Sequence, residues 1–273
     1  MRNVTVAIAQ FASTMGDPAS NLAKAENAIH EAIGKGAQLV IFPELYYPGY
    51  YNPIVRFHEL AEPCDGPLYQ ALSACAKREN VHIIMGYCEK KETAPGKVFN
   101  SLMFINNKGE RLASYTKVYG WDTEKDIFTD GEQFFVCETE IGKIGLLICY
   151  DIEFPETFRA LNMKGAEMVV CCSAWRTYLK HRWDTGLLSG ATANLSFVVG
   201  CNTVGVNPAY QELCGDSQVI RPCGHVLDVA GDQEQILYST FDLDEVQRER
   251  DAYPIWKDYH YDMYHENAME KYF

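Results

Sequence analysis

Long apolar runs are missing from this chain. No stretch approaches the roughly 18 apolar residues that a membrane-spanning helix needs. The N-terminus, MRNVTVAIAQFAS, has one basic residue and then strand-like alternation, without the apolar core of about 7–15 residues that marks a secretory signal. Basic clusters are equally scarce: KREN at 77–80 and EKKE at 89–92 are short and mixed. With 37 acidic against 24 basic residues and a formal charge of −13, no basic face is available to displace counterions from phosphates. Neither nucleic acid nor a membrane surface is therefore an expected partner. Pro/Gly/Ser-rich linkers, low-complexity tracts and repeats are also absent, so residues 1–250 are expected to form a single domain. Ten cysteines are present, but no two form a C-x-x-C pair, and Cys88, Cys137, Cys171, Cys172 and Cys201 lie in apolar segments. That usage suits reduced thiols in a cytoplasmic protein better than a disulfide framework or a metal cluster. No metal or cofactor is expected.

Apolar, β-branched segments bounded by breakers predict strands at 4–10, 37–43, 82–87, 99–106, 112–117, 134–139, 143–149, 168–173 and 197–202, with weaker ones at 217–222 and 235–241. Helical periodicity appears at 20–36, where Leu22, Ala25, Ile29, Ala32 and Ile33 share a stripe, and at 68–80, 154–165 and 182–196. A last helix is predicted at 242–250, with Asp242 and Glu245 at capping-box spacing. Strand, helix and strand alternate early, paired strands follow without helices, and then the alternation returns. This order predicts a layered α/β or α+β sandwich with partly parallel and partly antiparallel sheets. The tail, 251–273, holds seven aromatic residues and little aliphatic content. It reads as an arm that either wraps its own domain or crosses to a partner subunit.

Three strand ends stop at a reactive side chain: AQLVIFPEL at Glu44, LASYTKVYGW at Lys117 and GLLICYDIEFPE at Cys149. Singly, these are a capping glutamate, a solvated lysine and a buried cysteine. As a set they are more informative, because a thiol needs a base and an amide leaving group needs an acid. An ammonium beside them would lower the thiol pKa and hold an oxyanion.

FPELYYPGYY, the YTK at 115–117 and CYDIEFPE together resemble the three motif regions of the nitrilase superfamily, the carbon–nitrogen hydrolases. TEKDIFTDG (123–131), GAEMVVCCSAW (165–175) and GDSQVIRPCG (215–224) continue the likeness, which covers residues 4–250. The resemblance implies a four-layer αββα sandwich that assembles as a homodimer or higher homo-oligomer. It implies Glu44 as general base, Lys117 at the oxyanion, Cys149 as nucleophile, Glu124 as a second glutamate, and the Tyr150 backbone N–H as an oxyanion donor. Two stretches depart from the family pattern: GATAN (190–194) where many members read R-A-x-E-N, and VYGWD (118–122) in place of a histidine-containing segment.

The stretch around Cys149 is similar to small aliphatic, ω-amino-amide and stereoselective amidases. The expected partner is then a small-molecule amide. Tyr50, Trp121, Glu153 and Trp175 adjoin the motifs and are candidate pocket residues; aromatic walls with a carboxylate would suit a distant ammonium. Glu153 is alternatively a structural brace. An N-carbamoyl amine or a nitrile would begin with the same thiolate attack, and a catalytically silent scaffold is the reading from outside enzymology. His181 and His225 are the candidates for a Cys–His pair, although neither sits in a nucleophile–base motif.

Overall fold

The computed structural model describes residues 1–206, 212–260 and 263. Its first sheet contains β1 (Asn3–Gln10), β2 (Leu39–Ile41), β3 (His82–Lys90), β4 (Val98–Ile105), β5 (Arg111–Thr116) and the late strand β14 (Gln235–Asp242), in the order β14-β1-β2-β3-β4-β5. Its second contains β6 (Val136–Thr139), β7 (Gly142–Ile148), β8 (Met168–Ser173), β9 (Phe197–Asn202), β12 (Gln218–Ile220) and β13 (Val226–Val229), in the order β13-β12-β9-β8-β7-β6. A small hairpin of β10 (Val204–Val206) and β11 (Glu212–Cys214) stands apart. Each large sheet has parallel pairs at its centre and antiparallel pairs toward its edges. The mixed sandwich expected from the sequence is what forms.

Side-chain alternation decides the layers. In β1, Val4, Val6 and Ile8 face the second sheet, while Ala7 and Ala9 face outward. The outward side is covered by α1 (Pro18–Ile33) and α3 (Pro67–Glu79), which bury Ala25, Ile29, Ala32, Leu68, Leu72 and Cys75 against it. The second sheet is covered by α5 (Pro155–Met163) and α6 (Lys180–Thr192) through Phe158, Leu161, Trp183, Leu187 and Ala191. Four layers result, αββα. Among the described residues no helix is long and apolar enough to cross a membrane.

Local chemistry sets the helix ends. Asp17 accepts from the Ser20 N–H at 3.0 Å, and Pro18 opens α1 two residues before the apolar stripe suggests. Gly34 ends it, and Pro155 and Gly165 bracket α5 as expected. Helix α6 begins at Lys180 and stops at Thr192, so it starts before and ends well short of the predicted 182–196. The GATAN departure lies at its end: a Cβ at Gly190 would meet the Phe158 ring at 2.5 Å, and Asn194 caps the Gly190 carbonyl at 2.9 Å.

Two short helices, α2 (Ile54–Leu60) and α4 (Glu124–Ile127), escape the sequence reading because neither is long enough to show a period. The predicted helix at 242–250 is corrected. Strand β14 runs through Asp242, held by pairing of Asp242 with Asn3, and α7 (Glu245–Ala252) starts afterwards. Asp242 instead accepts from the Asp244 N–H at 3.1 Å, and Glu245 is held by Arg221. The first residues of the aromatic arm turn back on α5, where the Arg159 guanidinium lies 4.5 Å from the Trp256 ring centroid. Residues 261–262 and 264–273 of that arm lie outside the described residues.

Candidate active site

Glu44, Lys117 and Cys149 come from three strand ends at one edge of the sandwich. Glu44 follows β2 by three residues, in a turn that lies directly on β3. A Cβ at Gly86 of β3 would fall 2.3 Å from the Leu45 nitrogen, so only glycine admits this approach. The Tyr47 N–H donates to the Gly86 carbonyl at 3.0 Å, and Leu45 adopts a φ of +46°. Lys117 directly follows β5. Its carbonyl accepts from the Gly131 N–H at 2.7 Å, and a Cβ on Gly131 would stand 2.3 Å from the Thr116 carbonyl oxygen.

Cys149 is the residue after β7, with a φ of +46°. That left-handed conformation is unusual for a side chain with a Cβ and is held against strain by its surroundings. Asp151, fully buried, supplies much of the restraint. It accepts from the Ile148 N–H at 2.9 Å, the Tyr115 hydroxyl at 2.6 Å, and the Val118 and Tyr119 N–H groups at 3.2 and 3.0 Å. One carboxylate thereby ties the cysteine turn on the second sheet to the lysine strand on the first. Burial pushes its pKa up to about 6, against these hydrogen bonds. The sequence reading passed over Asp151; its place two residues after the candidate nucleophile, among apolar neighbours, was the available signal.

The charged groups form a closed cluster. Lys117 Nζ donates to Glu44 Oε1 at 2.6 Å and to Glu124 Oε2 at 2.8 Å. Asn100 donates to Glu44 Oε1 at 2.7 Å, and the Ala174 N–H at the end of β8 donates to Glu44 Oε2 at 3.0 Å. Glu124 is held in turn by the Trp121 N–H at 3.0 Å and by the Tyr50 hydroxyl. Asn100 was not singled out from the sequence, since an asparagine inside a strand carries no signal of what it will face.

Burial pushes the Glu44 pKa up to about 7, with Glu124 adding to the rise and Lys117 opposing it. Burial alone would lower the Lys117 pKa, but the Glu124 and Glu44 carboxylates more than reverse it, so the ammonium keeps its charge. The Cys149 thiol is raised well above its ordinary value by burial and then by Glu44, with Lys117 pulling the other way. The expectation that the ammonium would lower this pKa is therefore overridden. The resting sulfur is a neutral thiol beside a carboxyl group poised near neutrality, an arrangement suited to proton transfer on demand.

Cys149 opens onto a cleft that is also lined by Tyr50, Trp121, Tyr150, Glu153 and Trp175. All four candidate pocket residues are thus brought together. Tyr50 also lines the adjoining cleft that reaches Glu44. Trp175 is fixed by its indole N–H on the Leu179 carbonyl at 2.8 Å, and the Trp121 ring meets the Tyr150 ring edge-on with centroids 4.7 Å apart. Glu153 is only 12% exposed and pairs through both oxygens with Arg182, with Nε at 2.7 Å from Oε1. Its carboxylate is a brace at the cleft wall, not a free charge. His181 and His225 are both exposed on the surface, and Cys171 and Cys172 are buried in β8.

Residues 5–251 match the Carbon-nitrogen hydrolase family. The chain is 32% identical to an (R)-stereoselective amidase of a Pseudomonas species, over 93% of this chain and 90% of that protein. It is 32% identical to a 2-oxoglutaramate amidase of Bacillus subtilis, over 95% and 99% respectively. The crystal structure of a carbon-nitrogen hydrolase from Helicobacter pylori superposes with a TM-score of 0.90 at 28% identity, covering 98% of this chain and 99% of the other.

Proposed function

Because the chain belongs to the carbon-nitrogen hydrolase family, and is an enzyme of that class, we propose that it hydrolyses a small linear amide to a carboxylate and ammonia through a Cys149 thioester. The observation that carries this reading is the buried Glu44–Lys117–Glu124 cluster set beside a neutral thiol on a strained strand end. Glu44, as carboxylate, accepts the thiol proton while sulfur attacks the amide carbon. The developing oxyanion is held by the Lys117 ammonium and the Tyr150 backbone N–H. Glu44 returns the proton to nitrogen as the C–N bond breaks, so ammonia leaves and a thioester remains. A water then gives its proton to Glu44 and attacks the thioester, which releases the carboxylate and restores the thiol. Glu124 contributes by holding Lys117 in place. The amidases among the relatives support the choice of an amide over other C–N bonds.

Ammonia release from a panel of amides, ω-amino amides, N-carbamoyl amines and nitriles tests this reading, with Cys149→Ala as control. Amides are expected to be turned over and Cys149→Ala to retain less than about one part in ten thousand of the rate with an unchanged melting temperature. Preferred turnover of a carbamoyl amine or a nitrile would reassign the substrate. Substantial activity in Cys149→Ala would remove the mechanism. No turnover of any class, with no selective alkylation of Cys149, would favour the scaffold reading.

A further inference from the structure

Arg176 follows Trp175 just beyond β8 and lines the same cleft as Cys149. Its hydrogen-bond partners are tyrosine hydroxyls: Tyr178, 3.3 Å from Nη1, and Tyr51. Among the described residues no carboxylate forms an ion pair with it. The neighbouring charges are matched with one another. Arg182 holds Glu153, and Lys180 holds Asp184 at 2.7 Å and Asp216 at 3.4 Å. At the floor of the site one ammonium, Lys117, faces two carboxylates, Glu44 and Glu124.

The cleft is therefore polarised, with the Glu44 and Glu124 carboxyl groups near the thiol and, at its wall, a half-buried guanidinium that no carboxylate among the described residues pairs with. A neutral amide group is tolerated at the floor, whereas a substrate carboxylate is repelled from there and drawn to the guanidinium. A guanidinium fork binds a carboxylate with two parallel hydrogen bonds, and partial burial strengthens both. The aromatic rings of Tyr50, Trp121, Tyr150 and Trp175 wall the same cleft and leave room for only a short chain between the two ends.

We propose that Arg176 is the specificity residue of this cleft, receiving a carboxylate at the end of the substrate opposite the amide. The substrate class is then the half-amide of a short dicarboxylic acid. This inference rests on the amidase reading above and names its substrate. It also reverses the preference for a distant ammonium that Glu153 suggests in the sequence, because Arg182 has already neutralised that carboxylate.

The test compares succinamate, its neutral near-isostere 4-methylpentanamide and the cationic 4-aminobutanamide in the wild type and in Arg176→Gln. The wild type should favour succinamate over the neutral amide by about tenfold or more in kcat/KM. Arg176→Gln should raise the KM for succinamate about 10- to 100-fold, the loss of a charge-assisted pair, while its kcat and the constants for 4-methylpentanamide change by less than about threefold. Arg176→Lys should recover part of the loss. A wild-type preference for either uncharged or cationic amide, or an equal loss for all three in Arg176→Gln, overturns the inference and leaves the amidase reading standing. If no amide is turned over, the amidase reading fails, and alkylation of Cys149 by iodoacetamide decides about Arg176. Protection by succinamate in the wild type but not in Arg176→Gln supports the anion site. Absent or equal protection overturns it.

Discussion

The first sheet ends at the site edge in charge, with Glu44 beyond β2 and Lys117 beyond β5, whereas the second ends in a neutral thiol at Cys149 beyond β7. Neither half is chemically sufficient. Buried alone, the Glu44 and Lys117 charges only satisfy each other, and the thiol alone is held protonated by burial. Contacts between the sheets convert the two into one site: the Ala174 N–H on Glu44, and Asp151 accepting from Tyr115, Val118 and Tyr119. A buried ion pair is a poor source of stability because desolvation offsets the attraction. Its placement against a thiol gives a reason for it beyond folding.

The contrast is broken most severely by removing the shared ammonium. Lys117→Met should lower kcat at least about a thousandfold, with the proposed oxyanion donor gone, and should destabilise the fold by about 3–5 kcal/mol because Glu44 and Glu124 remain buried without a counter-charge. Rate assays and urea unfolding measure the two losses; a variant of wild-type stability would show that the cluster is not desolvated as described.

Acid acts on the same half more gently. In the proposed mechanism Glu44 works as a carboxylate, and burial pushes its pKa up to about 7, so kcat/KM should fall about tenfold per pH unit below that value, roughly a hundredfold over two units. A flat profile from pH 5 to 7 would rule Glu44 out as the base. For stability the sign is opposite: the native carboxyl holds its proton more tightly than the unfolded one, so this group makes the fold less stable as pH rises from 4.5 to about 7.

Asp151→Asn tests the tie between the sheets. It leaves both halves chemically intact but weakens four hydrogen bonds, so kcat should fall about tenfold and stability by about 1–3 kcal/mol. Loss of stability without loss of rate would separate the tie from the chemistry. Glu153→Gln lies at the small end. The pair with Arg182, which is 53% exposed, is screened by solvent, so the melting temperature should barely move and turnover of a neutral amide should change less than about twofold.

Much of the fold can be read from the chain because its strands are apolar, bounded by breakers and protected from ambiguity by their neighbours. Segments 143–149 and 168–173 became β7 and β8 with at most one residue of difference. The errors have local causes. Asp242 and Glu245 have the spacing of a helix start, but the ladder to β1 claims Asp242 first, and pairing with Asn3 outweighs a cap. Glu44, Lys117 and Cys149 could be picked out because an apolar run that stops at a reactive group is visible in one dimension. Asn100 and Arg176 could not, since their importance lies in what stands opposite them.

The sequence by itself determined the order of the longer strands and helices, the three reactive strand ends and the Tyr50, Trp121, Glu153 and Trp175 side chains of the cleft wall, because hydrophobic period and breaker residues act over a few positions. Only the tertiary structure decided which charges remain free. Glu153 met Arg182 across 29 residues and was neutralised, while Arg176 was left in the cleft with hydroxyl partners. Electrostatic pairing depends on distance in space and strengthens once two groups leave water together, and no local pattern in the chain encodes it.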